Sequence, residues 1–104
     1  MLDINMEYRR GVLFVRFIGI LNYFTSYNLI DTLLPIILHH GIRNLVYNFS
    51  FLSSIDEVGN KSLLLGYNAI LNNKGNVLVI DNKFNLEDFK ETKNELTALE
   101  ILKD

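Results

Sequence analysis

Few side chains in this sequence are placed to do chemistry. His39 and His40 are adjacent. Neighbours on a helix point about 100° apart, so the two offer no chelating i, i+4 pair. Their place near the end of a predicted helix suits the negative end of its dipole. Asp56 and Glu57 are neighbours too and diverge, whereas paired catalytic carboxylates must oppose each other across a substrate. No Ser-His-Asp ordering stands out, and no G-x-S-x-G occurs. Gly11, Gly19, Gly41, Gly59, Gly66 and Gly75 are dispersed, so they make no Walker or dinucleotide loop. There is no cysteine, which removes disulfides, thiolate metal sites and a Cys nucleophile. Tyr23 and Tyr27 lie at helical spacing, where an aromatic pair is more often core or rim than a stacking platform. The expectation is a chain that is not an enzyme, with no cofactor and no metal site.

One segment stands apart: Ser53-Ser54-Ile55-Asp56-Glu57-Val58-Gly59. It joins a predicted strand to a predicted helix, on the carboxyl-end side where parallel sheets bind their ligands. A helix start offers free N–H groups and partial positive charge. Asp56 can cap that helix and Glu57 can sit in its first turn, where an acid stabilises by about 0.3–1 kcal/mol. Ser54-x-x-Glu57 also fits a capping box. Plain capping and a binding role both suit these residues.

The elements that would position this segment follow from periodicity. Ile4, Met6 and Tyr8 alternate with polar residues, as in a half-buried strand. Arg10-Gly11 turns the chain into a second strand, Val12 to Ile18, apolar except for Arg16. After a break at Gly19 to Phe24, Thr25 or Ser26 caps a helix. Ile30, Leu33, Leu34, Ile37 and Leu38 form its apolar stripe. Pro35 should kink it or split it near Asp31, and Gly41 ends it. Leu45, Val46, Tyr47 and Phe49 make a third strand. A helix from Glu57 to Asn73 follows, with Leu63, Leu64, Tyr67, Ile70 and Leu71 on one side, and Gly75 ends it. Val77 to Ile80 reads as a central parallel strand. Asn85 can cap a third helix through Leu86 and Phe89. Leu99 to Leu102 is a last short strand or a helix tail. The fold class expected is α/β: one small domain over residues 1–104, with a mostly parallel sheet of four to five strands. One edge is antiparallel, and helices pack against the sheet.

Composition narrows the partners. The hydrophobic share of 49% supports a packed core rather than disorder. Ten Lys and Arg are scattered among twelve acids, which argues against a nucleic-acid footprint. The late acids, Glu87, Asp88, Glu91, Glu95, Glu100 and Asp104, read as a solvated face. The apolar run Leu29 to Leu38 carries Asp31 and Pro35, and a membrane span needs roughly 20 residues. The opening residues Met1 to Asn5 have no basic region leading into an apolar run, so no signal peptide and no membrane insertion are expected. A cytoplasmic location follows as an expectation.

The stretch Ile42 to Gly59 resembles the signature of STAS domains, the fold of bacterial anti-sigma-factor antagonists. There a strand ending in a D-L-S-like segment leads to D-S-[SA]-G at the start of a helix, as Phe49 to Gly59 does here. The following helix and Val77 to Ile80 match in order. Gly19-Ile20-Leu21-Asn22 is similar to the family's G-x-L-D after the second strand. The resemblance covers about residues 5 to 82. It implies a regulator of transcription that binds an anti-sigma factor or related serine-kinase-like protein. In the family that kinase phosphorylates the Ser after the Asp, and phosphorylation releases it. Asn22, Tyr23, Ser54, Asp56, Glu57, Val58 and Gly59 would map to the partner-binding surface.

Two departures bear on that role. Glu57 stands at the phosphorylation-site equivalent and has no hydroxyl. A carboxylate carries −1 charge and two acceptor oxygens, against roughly −1.5 to −2 and three for a phosphoserine. Glu57 therefore mimics the phosphorylated state in part, or its partner has adapted to an acid. Asn22 replaces an Asp, a change that would compensate for the charge of Glu57. The second departure is at the end, where the family's last helix is expected to be missing. An alternative role is an accessory STAS-like subunit of a transport or sensory assembly, with Tyr23, Phe24 and Phe51 as a contact patch. The oligomeric state is open.

Overall fold

The period-2 pattern at the start of the chain becomes a hairpin. Strand β1, Leu2–Arg9, pairs antiparallel with β2, Val12–Leu21, across Arg10 and Gly11, both at positive φ. The computed structural model describes residues 1–103. Helix α1, Ser26–His40, leads to β3, Asn44–Ile55. Helix α2, Glu57–Asn72, leads to β4, Asn76–Ile80. A short β5, Lys90–Thr92, and helix α3, Glu95–Leu102, complete the domain. The five strands lie in the order β1-β2-β3-β4-β5, with β1 antiparallel and all later pairings parallel. The expected α/β class with one antiparallel edge is the observed one.

Two apolar layers sandwich the sheet. Leu13, Val15, Phe17 and Leu21 of β2 and Leu45, Tyr47, Phe49 and Leu52 of β3 meet Leu29, Leu33 and Ile37 of α1 and Leu63 and Ile70 of α2. On the other face Val12, Phe14, Val46, Leu78 and Ile80 meet Ala98, Leu99 and Leu102 of α3. Burying each such large side chain stabilises the fold by about 1.5–3 kcal/mol. Tyr47 lies wholly within the first layer and donates from its hydroxyl to the Leu63 carbonyl at 2.9 Å. Burial raises its ionisation above the ordinary tyrosine range.

The structure corrects several expectations. Pro35 neither splits α1 nor ends it. It faces solvent, so the carbonyl that its missing N–H leaves free can bond water. Both helix stripes turn slightly from the expected ones, leaving Leu38 at 69% and Leu71 at 45% exposure. No helix starts at Asn85. Asp81 and Asn85 take left-handed backbone, and the Asn82 side chain closes a loop by bonding both Leu86 N and Leu86 O. Phe89 emerges buried from that loop, edge-on to Tyr47 and Tyr67. The segment left open between strand and helix is α3, so a helix does follow the last strand, where one was expected to be missing. Asp104 lies outside the described residues. Among the described residues no helix is long and apolar enough to cross a membrane.

Candidate protein-binding site

Strands β2 and β3 run parallel, so Leu21 and Ile55 end on the same side of the sheet. Each strand gives way there to a tight connection. After β2, Asn22 folds the chain back on itself. Its Oδ1 accepts from Phe24 N at 2.9 Å and Thr25 N at 3.1 Å. The Thr25 hydroxyl accepts from Asn22 N and donates to the Ile20 carbonyl. Thr25 therefore precedes α1 without capping it. The turn holds Tyr23 and Phe24 outward at 68% and 77% exposure, their rings edge-to-face at 5.3 Å.

The connection after β3 is a single residue. The strand runs on to Ile55 along β2, with Ser54 opposite Ile20, so Ser53 and Ser54 are strand rather than loop. Ser54 is exposed and does not cap the helix. Asp56 does. Its Oδ1 accepts from Gly59 N at 2.7 Å and its Oδ2 from Tyr23 N at 2.9 Å. Its own N–H donates to the Leu21 carbonyl. One carboxylate thus caps α2 and ties the Asn22–Thr25 turn to it. Charge-assisted bonds of this kind are about twice as strong as neutral ones. Gly59 lets the helix approach this closely, since a Cβ there would lie 2.4 Å from Leu21 O.

Glu57 is the first residue of α2. Its side chain is 86% exposed, and its ion pair with Lys61 is loose, at 3.9 Å. Val58 beside it is 37% exposed. The site thus divides. Tyr23, Ser54, Glu57 and Val58 face solvent, while Asn22, Asp56 and Gly59 build the frame beneath them. Asn22 makes its side-chain bonds within its own turn. Phe24 and Tyr27 also belong to the exposed set, Tyr27 at 58%. Their signal in the sequence is a pair of aromatics flanking Thr25 and Ser26, outside the apolar stripe expected for the helix.

A second cluster gathers on the α3 side of the sheet. Arg16 forms a bidentate pair with Glu95 of α3, both bonds at 2.7 Å, and also binds Asn5 and Glu7 at 2.8 Å. Asn48 donates to the same Glu95 carboxylate. The Arg16 hydrogen bonds hold Glu95 below the ordinary carboxylate range, and the acids raise Arg16 in turn. This cluster lies between sheet and α3 and is structural. Among the described residues no three His, Asp or Glu side chains gather to hold a metal ion.

No family model and no curated protein sequence matches the chain. Solved structures do. The anti-sigma factor antagonist SpoIIAA in its unphosphorylated form superposes with a TM-score of 0.80 at 16% identity, over 95% of this chain and 96% of its own. The Bacillus protein in its phosphorylated form gives 0.75 at 15%, over 95% and 98%. A putative anti-sigma factor antagonist from Thermotoga maritima gives 0.84 at 14%, over 95% and 93%. An anti-sigma factor antagonist from Mycobacterium paratuberculosis gives 0.83 at 18%, over 100% and 96%. At these identities the likeness is one of fold. This chain has the fold of the STAS-domain anti-sigma-factor antagonists over nearly its whole length.

Proposed function

We propose that this chain is a non-catalytic regulatory module that docks a partner protein on the surface formed by Tyr23, Phe24, Ser54, Glu57 and Val58. The partner is an anti-sigma factor or a related serine-kinase-like protein, and Glu57 stands where such a kinase would place a phosphate. The observation that carries this reading is the position of Glu57. It is an exposed carboxylate on the first residue of α2, at the carboxyl ends of the parallel strands and directly after Asp56, which bonds the turn that carries the exposed Tyr23 and Phe24. Desolvated aromatics dominate binding energy at protein interfaces. A rim charge sets approach and partner choice. Glu57 carries no hydroxyl, so the charge at this position is permanent where a serine's would be conditional.

Pull-down with a kinase-like anti-sigma protein from the same genome tests the reading. Binding by the wild type or by Glu57→Ser or Glu57→Ala supports it. Absence of binding by all three, each folded by circular dichroism, rejects it.

A second reading is an accessory module of a multi-protein assembly. Ile18, Ile20 and Phe51 favour it, because they are exposed on β2 and β3, with Phe51 at 72%. A chain that co-purifies with a stable multi-subunit complex through Phe51, and not through Glu57, fits this alternative.

A further inference from the structure

The two edges of the sheet differ. β5 is three residues long and begins with Lys90, two devices that discourage pairing with another strand. β1 is eight residues long, keeps unbroken register with β2 and contains neither Pro nor Lys. The Met1 carbonyl accepts from Ile20 N at 3.0 Å. By the antiparallel alternation, Asp3, Asn5, Glu7 and Arg9 also turn their backbone groups toward β2. Leu2, Ile4, Met6 and Tyr8 turn theirs outward, an unguarded row of donors and acceptors.

We infer that β1 pairs antiparallel with β1 of a second copy of this chain, about a two-fold axis at Met6. That axis sets Asp3 opposite Arg9, Ile4 opposite Tyr8, Asn5 opposite Glu7 and Met6 opposite itself. The symmetry makes the Asp3–Arg9 pair occur twice, at non-hydrogen-bonded sites where side chains come closest, about 4.5 Å between Cα atoms. Asp3 and Arg9 are both exposed, and the ion pair that Arg9 makes with Glu7 of its own strand is an open one, at 3.5 Å. Neighbouring registers are worse. An axis at Asn5 places Asp3 against Glu7, and one at Glu7 places that acid against itself. An axis at Tyr8 pairs Glu7 with Arg9 but runs at once into the Arg10-Gly11 turn. On the core side, Ile4 of one copy meets Tyr8 of the other. Tyr8 rims an apolar groove of about 420 Å³, also lined by Leu13, Ile36, His40 and Ile42. Isologous contacts of this kind close on themselves and stop at two copies.

Charge reversal reads out the register. Asp3→Arg sets Arg against Arg, and Arg9→Asp sets Asp against Asp. A one-to-one mixture of the two variants restores opposite charges at both pairs. Sedimentation velocity up to about 1 mM chain should show a wild-type dimer. Each folded single variant should associate about tenfold more weakly or less still, and the mixture should recover the dimer. Exchange of the Ile4, Met6 and Tyr8 amides should slow on dimerisation. A wild type monomeric at about 1 mM overturns the inference and leaves the edge to a strand of some other protein. A dimer indifferent to both reversals, or a mixture that does not recover, overturns it equally.

Discussion

Helices α2 and α3 begin alike and serve differently. Each follows a capping side chain that accepts from the third residue on, Asp56 from Gly59 N and Asn94 from Thr97 N. Each places a glutamate directly after the cap. Glu95 meets Arg16 and Asn48, retains only 22% exposure and pins α3 to the sheet. Among the described residues Glu57 forms its ion pair with a distant Lys61 alone, and it keeps 86% exposure. Local helix chemistry explains both glutamates to the same extent. What separates them is the surroundings: Glu95 is bonded to the sheet, whereas Glu57 faces solvent with a loose ion pair.

Arg16 separates the two helix starts most sharply. Arg16→Met takes from Glu95 its bidentate partner and from Glu7 its shorter ion pair, and urea unfolding should show a loss of about 2 kcal/mol. That is below the cost for a fully buried pair, since the side chain is 28% exposed. Acid should act on the same contact. Glu95 is held below its ordinary value of 4.5 in the folded chain. Its contribution is present above that value and is lost as the pH falls through the depressed one. Unfolding followed from neutral to acid pH should therefore lose less stability in Glu95→Gln than in the wild type.

Asp56→Ala removes a cap and the tie to Tyr23, and should cost about 1 kcal/mol by thermal melting. The Tyr23 amide should then exchange faster. The smallest effect belongs to Glu57. Glu57→Gln should change stability by less than about 0.5 kcal/mol, because an exposed charge at a helix start and a loose i, i+4 pair contribute little. Equal losses at Glu57 and Glu95 would erase the distinction between them.

The strands β1 and β4, and β2 as far as Ile18, are legible from sequence because one face, or both, carries an apolar run; the break expected at Gly19 is instead strand, since β2 continues along β3 to Leu21. The Asp56 cap is legible because capping is a local matter. The end of β3 is not, since Ser50, Ser53 and Ser54 break the apolar pattern, and the segment is held by pairing with β2 and by the buried Leu52. The loop after β4 is misleading for the opposite reason. Leu86 and Phe89 have helical spacing, yet Asn82 and two left-handed residues close the backbone another way. Arg16 is visible as one charge in an apolar strand, but its partner Glu95 lies 79 residues away, and no periodicity links them. At the site, the exposure of Glu57 and Tyr23 is a property of the assembled surface.

Glu57 is proposed as a fixed charge facing a partner. That role is tested most directly by titrating the kinase-like partner against wild type and Glu57→Ser, each before and after incubation with ATP. Wild-type affinity should be the same in both arms, while Glu57→Ser gains one phosphate and its affinity changes with it. A wild-type chain that is itself phosphorylated, for instance on Ser53 or Ser54, and changes affinity as a result would contradict it.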